Sequence, residues 1–147
     1  MKRIFTLLLI IISLNLKAQV TSTSFKLAAK TATTTYNKNK ECVNYVKTLN
    51  VFLKANALKY KIIKYTVYKY SSKRINIFLV HDYDAGKTAI SDNGIHYVID
   101  VDGYIFDNNH PEGQLKTDWG KLLECVDGTF PIGFNTRTSV LDPSTLK

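Results

Sequence analysis

The dipeptide Asp102-Gly103 constrains this 147-residue chain more than any other feature. It stands between Ile95–Val101 and Tyr104–Asp107, two runs rich in β-branched and aromatic residues. Asp-Gly suits a two-residue hairpin turn, because both central positions need positive φ. With that loop, Val101 faces Tyr104 and Val98 faces Asp107. Side chains alternate along each strand. One face then carries Tyr97, Ile99, Val101, Tyr104 and Phe106, an apolar set expected to pack on a helix. The other carries His96, Val98, Asp100, Ile105 and Asp107, a mixed and polar set.

The same register relates three polar residues. His96 and Asp107 are diagonal neighbours on one face, with backbones roughly 7–8 Å apart. Two side chains can close that gap to a hydrogen bond. Asp100 shares the face but lies roughly 13 Å along the strand, too far to orient the ring. Asn108 falls on the opposite face unless the strand has bent. Asp107 is therefore the expected partner of His96.

A helix is expected over Glu41 to Ala57. Cys42, Val46, Leu49 and Leu53 recur at helical spacing, and Val43 and Phe52 widen the stripe. Asn37 or Asn39 could cap its start. Cys42 then sits in the first turn, where the helix macrodipole favours a thiolate. A thiolate nucleophile, a histidine that moves its proton and a carboxylate that fixes the histidine tautomer make a recurrent catalytic set. The candidates are Cys42 as nucleophile, His96 as general acid/base and Asp107 as orienter. The Cys42 backbone N–H is a candidate oxyanion donor, with Asn37 or Asn39 as a side-chain donor.

Elsewhere, Lys59 to Tyr70 alternates as a strand, with Tyr60, Ile62, Lys64, Thr66 and Tyr68 on one side. Ser71 to Arg74 reads as a turn, Ile75 to His81 as a central apolar strand and Asp82 to Asn93 as a polar loop. His110-Pro111-Glu112-Gly113 breaks the chain before a short helix from Leu115 to Cys125, with Leu115, Trp119, Leu122 and Leu123 facing inward. Phe130, Ile132 and Phe134 are expected to dock on the core, and the last residues to fray. The architecture expected is α+β: a helix bearing the cysteine, packed on a small antiparallel sheet, with a short helix near the C-terminus.

The N-terminus reads differently. Lys2 and Arg3 precede a mostly apolar run, Ile4 to Leu16, and Lys17-Ala18-Gln19 offers a small residue for cleavage. Residues 1–19 thus read as a signal peptide, and the mature protein as secreted or periplasmic with no membrane span. Residues 20–40, rich in Thr, Ser, Lys and Asn, read as a mobile lead-in. Residues 41–147 remain as the catalytic domain, one core's worth of chain. The chain holds 20 Lys and Arg against 12 Asp and Glu, and removing Lys2, Arg3 and Lys17 leaves a modest basic excess. The three histidines, His81, His96 and His110, lack the spacing of a nuclease motif, so nucleic acid is not an expected partner. No zinc-like spacing and no complete phosphate loop are present, so no metal or cofactor is expected. Export would also allow Cys42 to bridge Cys125. The alternative reading is accordingly a non-enzymatic secreted binding protein with a Cys42–Cys125 disulfide.

Two blocks carry a resemblance. Glu41-Cys42-Val43 through Leu53-Lys54, followed by Tyr60-Lys61-Ile62-Ile63, resembles the cysteine helix and first strand of bacterial papain-fold toxin domains. Asn93-Gly94-Ile95-His96-Tyr97-Val98, then Val101 to Gly113 and Asp118-Trp119, resembles the second half of the papain fold toxin domain 2 family. The resemblance spans about Tyr36 to Cys125. It implies a papain-like fold and a Cys–His–Asp triad on Cys42, His96 and Asp107. It also implies a bacterial toxin or effector that acts as a peptidase, deamidase or related acyl-transfer enzyme on a protein or peptide substrate, with an immunity protein as a possible partner. Such domains often end large polymorphic toxins, whereas a free-standing exported enzyme could process a peptide or envelope component.

Overall fold

The computed structural model describes residues 23–36, 41–69, 79–83, 86–91, 93–125 and 134–146. Two helices, α1 (Thr23–Thr35) and α2 (Cys42–Ala55), precede the strands β1 (Lys61–Lys69), β2 (Leu79–Tyr83), β3 (Gly86–Ser91), β4 (Ile95–Val101), β5 (Tyr104–Phe106) and β6 (Gln114–Leu115). A short helix α3 (Lys116–Lys121), β7 (Leu123–Cys125), β8 (Phe134–Leu141) and a 3₁₀ turn (Pro143–Thr145) complete the chain. The main sheet is antiparallel, in the order β6-β5-β4-β1-β8, and a second sheet runs β3-β2-β7. This is a small α+β fold.

The hairpin has the expected register, with Val101 opposite Tyr104 and Ile99 opposite Phe106. Asp102 (φ 55°) and Gly103 (φ 84°) both take the left-handed conformation that a two-residue turn demands. Asp100 serves this turn: its Oδ1 accepts the Gly103 N–H at 3.0 Å, and its Oδ2 pairs with the Lys116 ammonium at 2.8 Å. The Lys116 N–H in turn donates to the Gly103 carbonyl, so α3 is tied to the hairpin tip.

The central strands of the main sheet are buried on both faces. On one, Ile62, Ile99, Val101 and Phe106 pack against Tyr45, Val46, Leu49 and Leu53 of α2 and Phe25, Ala29 and Ala32 of α1. On the other, Ile63, Tyr65, Val67, Val98 and Ile105 pack against Trp119 and Ile90. The apolar hairpin face therefore meets the helices, except that Tyr104 is 40% exposed beside the turn. The face expected to be mixed and polar forms a second core, because Trp119 packs over its apolar members Val98 and Ile105.

Several expectations are corrected. Within residues 20–40, expected as a mobile lead-in, Thr23–Thr35 is helical. Phe25, Ala29 and Ala32 recur at helical spacing and are fully enclosed, a stripe hidden in the sequence by its small residues and its threonines. Asp82 to Asn93 is not a loop throughout, since Gly86–Ser91 pairs with β2. Leu79–Tyr83 is the middle strand of the smaller sheet, while Ile75 to Phe78 and the Ser71–Arg74 turn lie outside the described residues. The late helix ends at Lys121, and Leu123–Cys125 pairs with β2. Leu115 is exposed rather than inward. Phe134–Leu141 is not a docked tail but an eight-residue strand along β1. Phe130 and Ile132, like the expected caps Asn37 and Asn39, lie outside the described residues. Glu41 stands at the head of α2 and makes no side-chain cap.

Gly113 has a specific steric reason. Its φ is 79°, and a Cβ there would collide with the Phe106 ring. The turn after β5 can close over the core only with glycine at this position.

Candidate active site

Within β4, β5 pairs with Ile99, Asp100 and Val101 and reaches no further toward the start of that strand. Among the described residues no strand pairs with the first residues of β4 along that edge, and β1 occupies the other. The head of α2 fills this gap. Cys42 is buried with a free thiol and interacts with both the His96 ring and the Tyr97 backbone N–H. A helix terminus can approach a strand this closely only where the neighbouring strand has stopped. The alternative Cys42–Cys125 disulfide is accordingly not formed. The Cys125 backbone sits in β7 opposite Leu79, in the smaller sheet.

His96 and Asp107 are fully enclosed, and His96 Nε2 lies 3.0 Å from Asp107 Oδ2. The ring's other nitrogen, Nδ1, is buried and has no hydrogen bond of ordinary geometry. Cys42 is thus the group left to exchange a proton with it. Trp119 stacks beside the ring, with centroids 6.1 Å apart and planes 16° from parallel, and Tyr65 packs on the indole at 4.9 Å. These aromatic side chains keep water from the His96–Asp107 pair and strengthen its electrostatics.

Asp107 is held from both ends. Its Oδ1 accepts the backbone N–H groups of Asn109 (2.9 Å) and His110 (2.6 Å), and the His110 ring nitrogen Nδ1 (3.1 Å). Oδ2 is left for His96. His110 was not foreseen as part of this arrangement. The signal for it is local: an Asp-x-x-His spacing in a strand-terminating turn lets the carboxylate cap the turn and meet the imidazole three residues on.

The charges are tuned accordingly. Burial would hold His96 neutral, but the Asp107 carboxylate and the Cys42 sulfur outweigh it and raise the ring to about 10. Burial pushes the Cys42 thiol up, yet His96 and the Tyr97 N–H overcome this, and its net shift is downward. Asp107 is driven well below the usual carboxylate range despite burial, by its bonds to His110 and His96. At neutral pH these directions favour a thiolate beside an imidazolium, with the carboxylate ionised behind it.

Asp100, on the same face as His96, is engaged by the turn and Lys116 and takes no part in this set. Among the described residues no group of three or more His, Cys, Asp or Glu could hold a metal ion, and no helix is long and apolar enough to cross a membrane.

A helix headed by a free cysteine, laid against an antiparallel sheet that brings up a histidine and an aspartate, defines a small protein of papain-like fold. The family model described as papain fold toxin 2 matches residues 26–124, so the chain belongs to that family. The match takes in most of α1, the segment that composition alone sets aside. No curated protein and no solved structure matches the chain.

Proposed function

We propose that this protein is an exported thiol enzyme of papain type that acts as a bacterial toxin or effector by acyl transfer from a protein or peptide amide. Cys42 is the nucleophile, His96 the general acid/base and Asp107 its orienter. The observation that carries the reading is the buried 3.0 Å contact between His96 Nε2 and Asp107 Oδ2, which leaves Nδ1 to the Cys42 thiol.

In the proposed reaction the Cys42 thiolate attacks a carbonyl carbon and a C–S bond forms. The carbonyl oxygen takes the negative charge, and the Cys42 N–H, a first-turn donor with no intrahelical partner of its own, is the proposed donor to it. The His96 proton passes to the leaving nitrogen as the C–N bond breaks. A water or an amine then attacks the thioester, with neutral His96 accepting its proton. Hydrolysis, deamidation and cross-linking differ only in the bond attacked and the second nucleophile. An immunity protein that covers the Cys42 cleft would suit a toxin of this kind.

Expression with the N-terminal signal intact in a bacterial host tests the reading. The wild type should arrest growth, and Cys42→Ala, accumulating to the same level and folded, should not. Equal toxicity of the two would overturn it.

A further inference from the structure

Beside Cys42 lies a cavity of about 230 Å³. Val43 from α2, Ile90 and Ser91 from the end of β3, Asn93, and Ile95 and Tyr97 from β4 form its walls. None of these side chains carries a charge. The aliphatic and aromatic residues dominate, and Ser91 and Asn93 supply polar groups.

Asn93 is fixed by its own turn. Its Oδ1 accepts the Ile95 N–H at 3.0 Å and the Ser91 hydroxyl at 3.0 Å, and Ser91 Oγ also accepts the Ile95 N–H at 3.0 Å. Gly94, at φ 68°, allows the chain to turn this tightly. A backbone N–H can only donate, so the oxygen end of the carboxamide is identified by its partner. The group that Asn93 has left to offer a ligand is therefore its Nδ2 donor, on a residue that lines the same cavity as Cys42.

We propose that this cavity receives an uncharged, apolar side chain on the acyl side of the bond that Cys42 attacks, and that Asn93 Nδ2 donates to a backbone carbonyl of the same peptide. The proposal rests on the thiol-enzyme reading above. A lysine or glutamate side chain in this cavity would lose its water and find no counter-ion among the described wall residues. An aliphatic one would gain by burying its surface against Val43, Ile90 and Ile95. A peptide carbonyl entering with it would exchange water for the Asn93 amide.

Acetyl-dipeptidyl chloromethyl ketones ending in Leu, Gln, Lys or Glu test this on the full chain, with iodoacetamide as a probe that carries no side chain. In each ketone reaction the Cys42 sulfur forms a bond to the methylene carbon and chloride leaves, so the mass gain on Cys42 is read by peptide mass spectrometry. Relative to iodoacetamide, the Leu probe should react roughly 10- to 100-fold faster than the Lys and Glu probes. Asn93→Ala, shown folded by circular dichroism, should lower the ratio of Leu-probe to iodoacetamide rate several-fold. Equal normalised rates across the panel, or a preference for Lys or Glu, would overturn the apolar pocket while leaving the thiol enzyme intact. An unchanged ratio in Asn93→Ala would remove Asn93 from the site. A folded protein whose Cys42 iodoacetamide does not modify would instead overturn the thiol-enzyme reading and this one with it.

Discussion

Asp107 presents one carboxylate oxygen to His96 and the other to the turn that ends in His110, and both its own side chain and that of His96 are sealed from water. The carboxylate is at once the cap of a turn and the second half of an imidazole pair. This double use makes its substitution informative.

Asp107→Asn should abolish activity without unfolding the protein. Three N–H donors converge on Oδ1, so the carboxamide oxygen must stay there and its NH₂ must face His96. His96 Nε2 then becomes an acceptor and its proton moves to Nδ1, the wrong tautomer for taking a proton from Cys42. The rate should fall by roughly 10²- to 10⁴-fold. Nitrogen-15 chemical shifts of the His96 ring read the tautomer directly, and an unchanged pattern would refute the assignment. Asp107→Ala leaves the ring without its partner and should in addition cost on the order of 3–5 kcal/mol of stability, measurable by urea unfolding.

The pH dependence follows from two opposite shifts. The Cys42 thiol lies below its ordinary value of 9.0, so its alkylation by iodoacetamide should reach a plateau at lower pH than that of an unperturbed thiol. The His96 ring lies near 10, so acyl transfer, which needs its proton, should decline only as pH rises through that range. Stability moves with the same groups. The raised His96 pKa contributes stability that is complete below about 6.5 and is lost as pH climbs toward 10. The depressed Asp107 pKa contributes stability present above the ordinary carboxylate range and lost as pH falls below it. Chemical unfolding at pH 6 and pH 9.5 should show greater stability at pH 6 from this pair, and Asp107→Ala should flatten the difference.

Phe25→Ala probes the helix that composition disguises. The ring is fully enclosed and meets Phe106 edge-on, with centroids 4.7 Å apart. Its removal should destabilise the protein by about 3–5 kcal/mol. A change below about 0.5 kcal/mol in urea unfolding would mean that α1 is not part of the cooperative core.

Gly113→Ala should be destabilising even though it adds a single methyl. The new Cβ would strike the Phe106 ring, and the backbone is in the left-handed region. A loss of about 1–3 kcal/mol is expected from the combination. Phe106→Leu in the same background makes room for the Cβ and should restore part of that loss. Failure of the rescue would locate the strain in the backbone alone.

What was legible in the sequence was local. Asp102-Gly103 selects a turn by its φ requirements, and the turn sets the register. The register in turn places His96 and Asp107 on one face and Asp100 out of reach. The stripe from Cys42 to Leu53 specifies the helix and puts the cysteine at its head. These are relations between residues a few positions apart or across one tight loop, so residue types and spacing suffice to determine them. Tertiary structure decided the rest. Thr23–Thr35 is a core helix because Phe25 finds Phe106 more than eighty positions away, and no local pattern announces that contact. Phe134–Leu141 becomes a strand because β1 offers it an open edge. The short β5 uncovers the edge of β4, and only that gap lets the head of α2 bring Cys42 to His96. The sequence by itself determined which side chains could pair within the hairpin. Packing between distant segments decided that the cysteine meets them, because such contacts depend on how whole elements fill space.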